Sequence, residues 1–85
     1  RKIKVRIFSK EDSTSVKYAE VLSSKNYFFL ISDSLGNLSF YLDSILRYDT
    51  LIINHISYKQ KIIPFIDFYD SKDSIFTIYL DKKTI

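Results

Sequence analysis

The sequence predicts a small all-β protein, either a closed or nearly closed barrel or a strongly bent antiparallel sheet of about seven short strands. Segments rich in Ile, Tyr, Phe, Val and Thr recur every 8–12 residues or so, and short polar turns separate them. Alanine, the strongest helix former, is almost absent. We therefore expect at most one helical turn, near residues 43–47.

Length and composition bound the class of protein. The 85 residues predict a single domain, residues 1–85, and the apolar fraction of 46%, with seven Phe and seven Tyr, suffices for a core. Cysteine is absent, which excludes disulfides and thiolate metal sites and favours a reducing, cytoplasmic location. No apolar run approaches the ~18 residues of a membrane span, so no membrane association is expected.

The first predicted strand, residues 2–8, alternates apolar and basic residues. Ile3, Val5 and Ile7 share one face, and Lys2, Lys4 and Arg6 share the other. One interpretation is an edge strand whose charges repel unwanted pairing. The other is a contact surface, which would either follow a phosphate backbone or meet an acidic protein.

The densest apolar segments follow a second predicted strand, residues 16–22. Residues 27–31 and 38–42 flank a polar stretch that contains the only glycine, Gly36. This pattern predicts a hairpin in the middle of the sheet, with Gly36 at a left-handed turn position.

Three further strands are predicted, at residues 50–58, 62–69 and 75–80. Pro64 cannot donate a hydrogen bond to a neighbouring strand, so it predicts an edge or a bulge. The predicted core centres on Phe28, Leu30, Phe40, Leu42, Ile53 and Phe76.

Motifs for catalysis or metal binding are not apparent. His55 is the only histidine, and no nucleophile or orienting group can be assigned to it. The aspartates suit turns, where their side chains bond to their own backbone. We expect neither an enzyme nor a cofactor.

The central stretch resembles a WYL domain, a small Sm-like or SH3-like barrel. Phe28-Phe29-Leu30 stands at the Trp-Tyr-Leu positions, and residues 38–45 keep Phe40, Leu42, Asp43 and Ile45 of the family's second run. The resemblance implies a regulatory or defence role in a prokaryote or phage. Family members bind anionic ligands through arginines of this second run. In this chain Leu38, Tyr41 and Ser44 stand at those positions, and Arg47 is the nearest arginine that could substitute.

The functional expectation is a non-enzymatic module that binds a macromolecule. A protein partner is favoured, because the net charge of +3 is modest and ten acidic residues are dispersed through the chain. Two alternatives are a single-stranded nucleic-acid-binding barrel, in which aromatic residues beside lysines stack on bases, and self-association as a homodimer through edge strands. The candidate contact residues are Lys2, Lys4, Arg6, Lys17, Tyr41 and Arg47.

Overall fold

The computed structural model describes residues 1–83 of the chain. Within this part the strands are β1 (Lys2–Ser9), β2 (Glu20–Ser23), β3 (Phe29–Ile31), β4 (Asn37–Tyr41), β5 (Thr50–His55), β6 (Tyr58–Pro64) and β7 (Ile75–Leu80). A short 3-10 helix (Ser44–Leu46) and a five-residue helix, α1 (Ile66–Asp70), complete the fold. The all-β prediction is therefore confirmed.

The strands form two sheets. One has three strands in the order β4-β1-β7, and the other has four in the order β3-β2-β5-β6. All pairs are antiparallel except β1 and β7, which run parallel. At the start of β6 and just after the end of β7, two backbone hydrogen bonds join the sheets, Lys59 N to Asp81 O at 2.7 Å and Lys83 N to Ser57 O at 3.1 Å.

The alternation in β1 is confirmed, because Ile3, Val5 and Ile7 are fully buried while the basic residues between them are exposed. The edge-strand interpretation is wrong, however. β1 is the central strand of its sheet and pairs with β4 on one side and β7 on the other. Its lysines and arginine therefore lie on a sheet face, and they do not prevent another strand from pairing with a free edge.

The predicted central hairpin is also wrong, because β3 and β4 belong to different sheets and each lies at an edge. The polar stretch between them crosses from one sheet to the other. Its start is fixed by the buried Ser32, whose hydroxyl donates to Val16 O and accepts from Ala19 N. Its end is fixed by Gly36, whose carbonyl accepts from Ile7 N at 2.8 Å. Gly36 has a φ of +77°, the left-handed conformation expected for it.

The helical turn expected near residues 43–47 is present, and the Asp43 side chain accepts a hydrogen bond from Ile45 N at its start. Pro64 ends β6, an edge strand, as its missing donor predicts. The strand predicted over residues 62–69 is wrong beyond that point, because the chain turns into α1. Phe65 N donates to Asp49 O at 3.0 Å, which fixes the turn.

The core is one hydrophobic cluster between the two sheets. Phe40 and Ile53 are buried in it as predicted, but the other four predicted residues are only half-buried against it. Phe65 is fully buried, and its ring lies edge-on to Phe28 and Phe40 with centroids 5.8 Å away. No helix in residues 1–83 is long and apolar enough to span a membrane.

Candidate functional site

The basic ladder, defined as Lys2, Lys4 and Arg6, projects from the middle of the three-stranded sheet. Residues paired across a sheet share a face, so the register identifies the neighbours of each cation. On the β4 side the ladder residues pair with Tyr41, Ser39 and Asn37 in turn, and on the β7 side Lys4 and Arg6 pair with Ile75 and Thr77. The ladder side chains are all exposed.

At the register positions around the ladder, the only charged residues are the three cations themselves. No carboxylate occupies any register position beside the ladder. The ion pairs in residues 1–83 lie elsewhere and join Lys82 to Glu11 at 3.7 Å and to Asp12 at 3.6 Å. The ladder cations are therefore available to an anion from outside the chain.

Aromatic side chains lie at both ends of the ladder. Tyr41, 71% exposed, is the β4 partner of Lys2. At the other end Phe8 follows Arg6 on the same face, and its ring lies 6.1 Å from that of Tyr79, its β7 partner. The structure thus brings Tyr41 together with the ladder, as one candidate surface.

Phe8 and Tyr79 were not among the residues predicted from sequence. Phe8 could have been found, because it continues the even-numbered face of the first strand beyond Arg6. Tyr79 could not, because nothing in the local pattern indicates that β7 lies parallel to β1.

Two predicted contact residues lie outside this surface. Lys17 is exposed on the segment that leads into β2, where its carbonyl is 3.2 Å from His55 Nε2 in the four-stranded sheet. Arg47 follows the 3-10 helix, with its guanidinium 6.0 Å from the ring centroid of Tyr48 and 5.5 Å from that of Tyr69. Neither residue occupies a register position beside the ladder.

Arg47 instead belongs to a cation–aromatic cluster. The Tyr69 hydroxyl donates a hydrogen bond to Asp43 O, and this bond holds the Tyr69 ring beside the Arg47 guanidinium. Burial and, secondarily, the Asp43 carboxylate raise the pKa of Tyr69, and Arg47 opposes them. The phenol therefore stays protonated and keeps this hydrogen bond at neutral pH.

An open cleft in the four-stranded sheet contains His55, Tyr18, Asn54 and Gln60. His55 Nδ1 accepts from Ser57 N at 3.1 Å, so in the neutral ring Nε2 carries the proton and donates to Lys17 O. Gln60 Nε2 donates to Asn54 Oδ1 at 2.8 Å. Both ring nitrogens of His55 are thus bonded to backbone groups, and Gln60 is bonded to Asn54, which leaves the cleft a weaker candidate than the ladder.

Nowhere in residues 1–83 do three His, Cys, Asp or Glu side chains group closely enough to hold a metal ion. No protein-family model and no curated protein sequence matches the chain. The resemblance to WYL domains therefore stays a prediction.

Proposed function

We propose that this chain is a non-enzymatic binding module that recognises an anionic macromolecule through the outer face of its three-stranded sheet. One observation carries the proposal: the basic ladder lies on a central strand, and only neutral residues pair with it on either side. Cations that lack internal partners retain their full charge for an external ligand.

The position of the ladder on a sheet face supports a contact role. Cationic side chains discourage pairing when they lie on an edge strand. Both edges of β1 are already occupied by β4 and β7, so the ladder cannot serve that purpose. A regulatory or defence setting in the cytoplasm of a prokaryote is part of this proposal, and it rests on the WYL resemblance and on the absence of cysteine.

The test compares two variants that lower the net charge equally. The ladder variant carries Lys2→Gln, Lys4→Gln and Arg6→Gln. The control variant carries Lys17→Gln, Lys25→Gln and Lys83→Gln, at exposed positions outside the proposed surface. Lys17 precedes β2, Lys25 lies in the turn between β2 and β3, and Lys83 lines the cleft that contains His55. The probes are a labelled oligouridylate and a labelled polyglutamate peptide, and binding is followed by fluorescence anisotropy.

We expect the wild type to bind at least one probe at low salt. The ladder variant should bind it at least ~10-fold more weakly, because three charge contacts are lost. The control variant should stay within about threefold of the wild type, because screening limits the effect of distant charges. Equal losses in both variants would show that net charge alone drives binding, and the proposed surface would then be wrong.

Self-association is a second candidate function, favoured by the exposed edge of β3. This strand pairs only with β2, and Phe29 and Ile31 are 56% and 55% exposed on its outer face. The four-stranded register continues that apolar surface through Leu22 and Ile52 to Ile62. Sedimentation equilibrium would detect a dimer that Ile31→Lys disrupts, and a monomeric mass at all concentrations would exclude this candidate.

A further inference from the structure

We infer that the anionic partner is a single-stranded nucleic acid, whose backbone follows β1 and whose bases stack on the aromatic residues at the ends of the ladder. This inference rests on the proposed function and specifies its ligand. It depends on three properties of the outer face of the three-stranded sheet: the spacing of the cations, the position of the aromatic rings and the chemistry of the residues between them.

The spacing of the ladder suits successive phosphates. Alternate residues of a strand lie ~6.5–7 Å apart on one face, which is close to the separation of neighbouring phosphates in an extended single strand. Lys2, Lys4 and Arg6 therefore present one cation to each of three consecutive phosphates. A basic groove that follows the backbone in this way is the usual electrostatic component of single-strand binding.

The aromatic rings provide stacking surfaces at the two ends of the ladder, beside Lys2 and beyond Arg6. Tyr41 is the cross-strand partner of Lys2, and the Phe8–Tyr79 pair lies one alternate position beyond Arg6. Tyr41 is 71% exposed and Tyr79 is 48% exposed, so their rings are available to bases. From Lys2 to Phe8 the strand rises ~20 Å, which corresponds to a footprint of about four nucleotides.

The residues that flank the ladder are neutral. Ser39, Asn37 and Thr77 can each donate or accept hydrogen bonds with sugar or base edges, and Ile75, the β7 partner of Lys4, is apolar and 54% exposed. The bases of a single strand are free to stack on aromatic side chains, whereas the bases of a duplex are already stacked on one another. An acidic protein would use the cations and gain little from rings at both ends of the strand. These features favour a single-stranded nucleic acid over both a duplex and an acidic protein.

The experiment uses the full chain and four probes of similar length: an oligouridylate of about eight nucleotides, the same backbone without bases, a duplex, and polyglutamate. The variants are Tyr41→Leu with Tyr79→Leu, and Tyr48→Leu as a matched control at an 85% exposed tyrosine outside both sheets. Circular dichroism and thermal melting verify that each variant is folded. The comparison of the first two probes needs only the wild-type chain.

We expect the wild type to bind the oligouridylate about 5- to 150-fold more tightly than the abasic strand, which is the range for stacking of one base. The double variant should lose most of that preference and retain its affinity for the abasic strand. Tyr48→Leu should change neither. The slope of log affinity against log salt should be about −2 for three phosphate contacts, and it should approach zero in the ladder variant.

The outcomes separate this inference from the proposed function. Equal affinity for strands with and without bases would overturn the stacking inference while the ladder remained a polyanion surface. Tighter binding of polyglutamate or of the duplex would assign the ladder to a protein or to double-stranded nucleic acid instead. If the chain binds none of the four probes, both the inference and the proposed function are wrong.

Discussion

Gly36 is the residue at which the crossing between the two sheets is most sensitive to a side chain. A Cβ on Gly36 would lie 2.6 Å from Ile7 O and 3.2 Å from both Val16 N and Val16 O, all of them backbone atoms. Its φ of +77° also disfavours any L-residue with a side chain.

We predict that Gly36→Ala lowers the free energy of unfolding by roughly 2–5 kcal/mol, because left-handed strain and a clash with fixed backbone add together. Urea denaturation measures the change. Leu35→Ala is the matched control, since Leu35 is the preceding residue and is 65% exposed. A loss for Gly36→Ala no larger than that of the control would mean that the loop does not dock against β1.

Asp49 is a buried carboxylate that links three segments of the chain. It accepts hydrogen bonds from Ser24 Oγ, Lys25 N and Thr50 N, the last at 2.7 Å, while its own carbonyl accepts from Phe65 N. Burial acts to raise the pKa of Asp49, but the hydrogen bonds from Ser24, Thr50 and Lys25 outweigh it and lower the pKa below its ordinary value.

The lowered pKa of Asp49 gives stability a defined pH dependence. A carboxyl group whose pKa is lower in the folded state contributes its full stability above the unfolded pKa, and this is lost as pH falls through the folded pKa. The pKa of Asp12, lowered to about 2 mainly by hydrogen bonds from Thr14, acts in the same direction. We predict that the free energy of unfolding falls as pH is lowered from about 4 towards 2.

Asp49→Asn tests this assignment. The variant should be less stable at pH 7 by roughly 1–3 kcal/mol, because backbone donors lose a charged acceptor. It should also show a weaker fall in stability between about pH 4 and 2, since Asn does not titrate. Urea midpoints measured across this range decide the matter. A pH dependence identical to that of the wild type would show that Asp49 is not the titrating group.

At the scale of elements, β4 connects the core to the candidate surface. Its buried Phe40 lies in a ring cluster with centroids 5.4 Å from Phe28 and 5.7 Å from Phe68. Its outward residues, Ser39 and Tyr41, pair with the ladder. The same strand thus anchors the sheet on one face and positions a stacking ring on the other.

We predict that Phe40→Ala costs about 3–5 kcal/mol of unfolding free energy, the usual range for a buried phenylalanine. Phe29→Ala is the matched control, because Phe29 lies on β3 and is 56% exposed. It should cost well under that amount. Similar losses for the two variants, measured by urea denaturation, would contradict the placement of Phe40 in the core.

The elements that sequence predicted well are those with a regular local pattern. The alternation in β1 and β7 predicted their buried faces and the bounds of β7, and it placed the end of β1 one residue early. The prediction of a hairpin over residues 27–42 was wrong, because two apolar runs and a glycine do not specify which strands pair. Only the contacts of Ser32 and Gly36 with distant backbone show that the chain changes sheets there.

The candidate site was half predictable for a related reason. The ladder and its common face follow from the two-residue period of a strand. The partners of that strand do not, because β1 pairs with β7 across about seventy residues, from Lys4 with Ile75 to Ser9 with Leu80. Tyr79 was missed because only this parallel pairing places it beside Phe8.

At the scale of the whole molecule, the two sheets present chemically different outer faces. The three-stranded sheet carries the ladder between aromatic ends, and the four-stranded sheet carries an apolar row that ends at Phe29 and Ile62. The two sheets meet where β6 lies beside β7, because Lys61 and Ile63 line one groove with Thr77 and Tyr79. A ligand bound to the three-stranded sheet should therefore leave β3, at the opposite edge of the four-stranded sheet from β6, unperturbed.

The most direct test of the central claim is a two-dimensional ¹H–¹⁵N NMR titration of the chain with an oligouridylate of about eight nucleotides. The proposed surface predicts that amide shifts change most in β1, β4 and β7, with the largest effects near Lys4 and Arg6. Signals from β2 and β3, which lie farthest from β7 in the four-stranded sheet, should stay in place. Changes centred on β2 and β3, or spread evenly over the chain, would contradict the assignment of the three-stranded sheet as the binding surface.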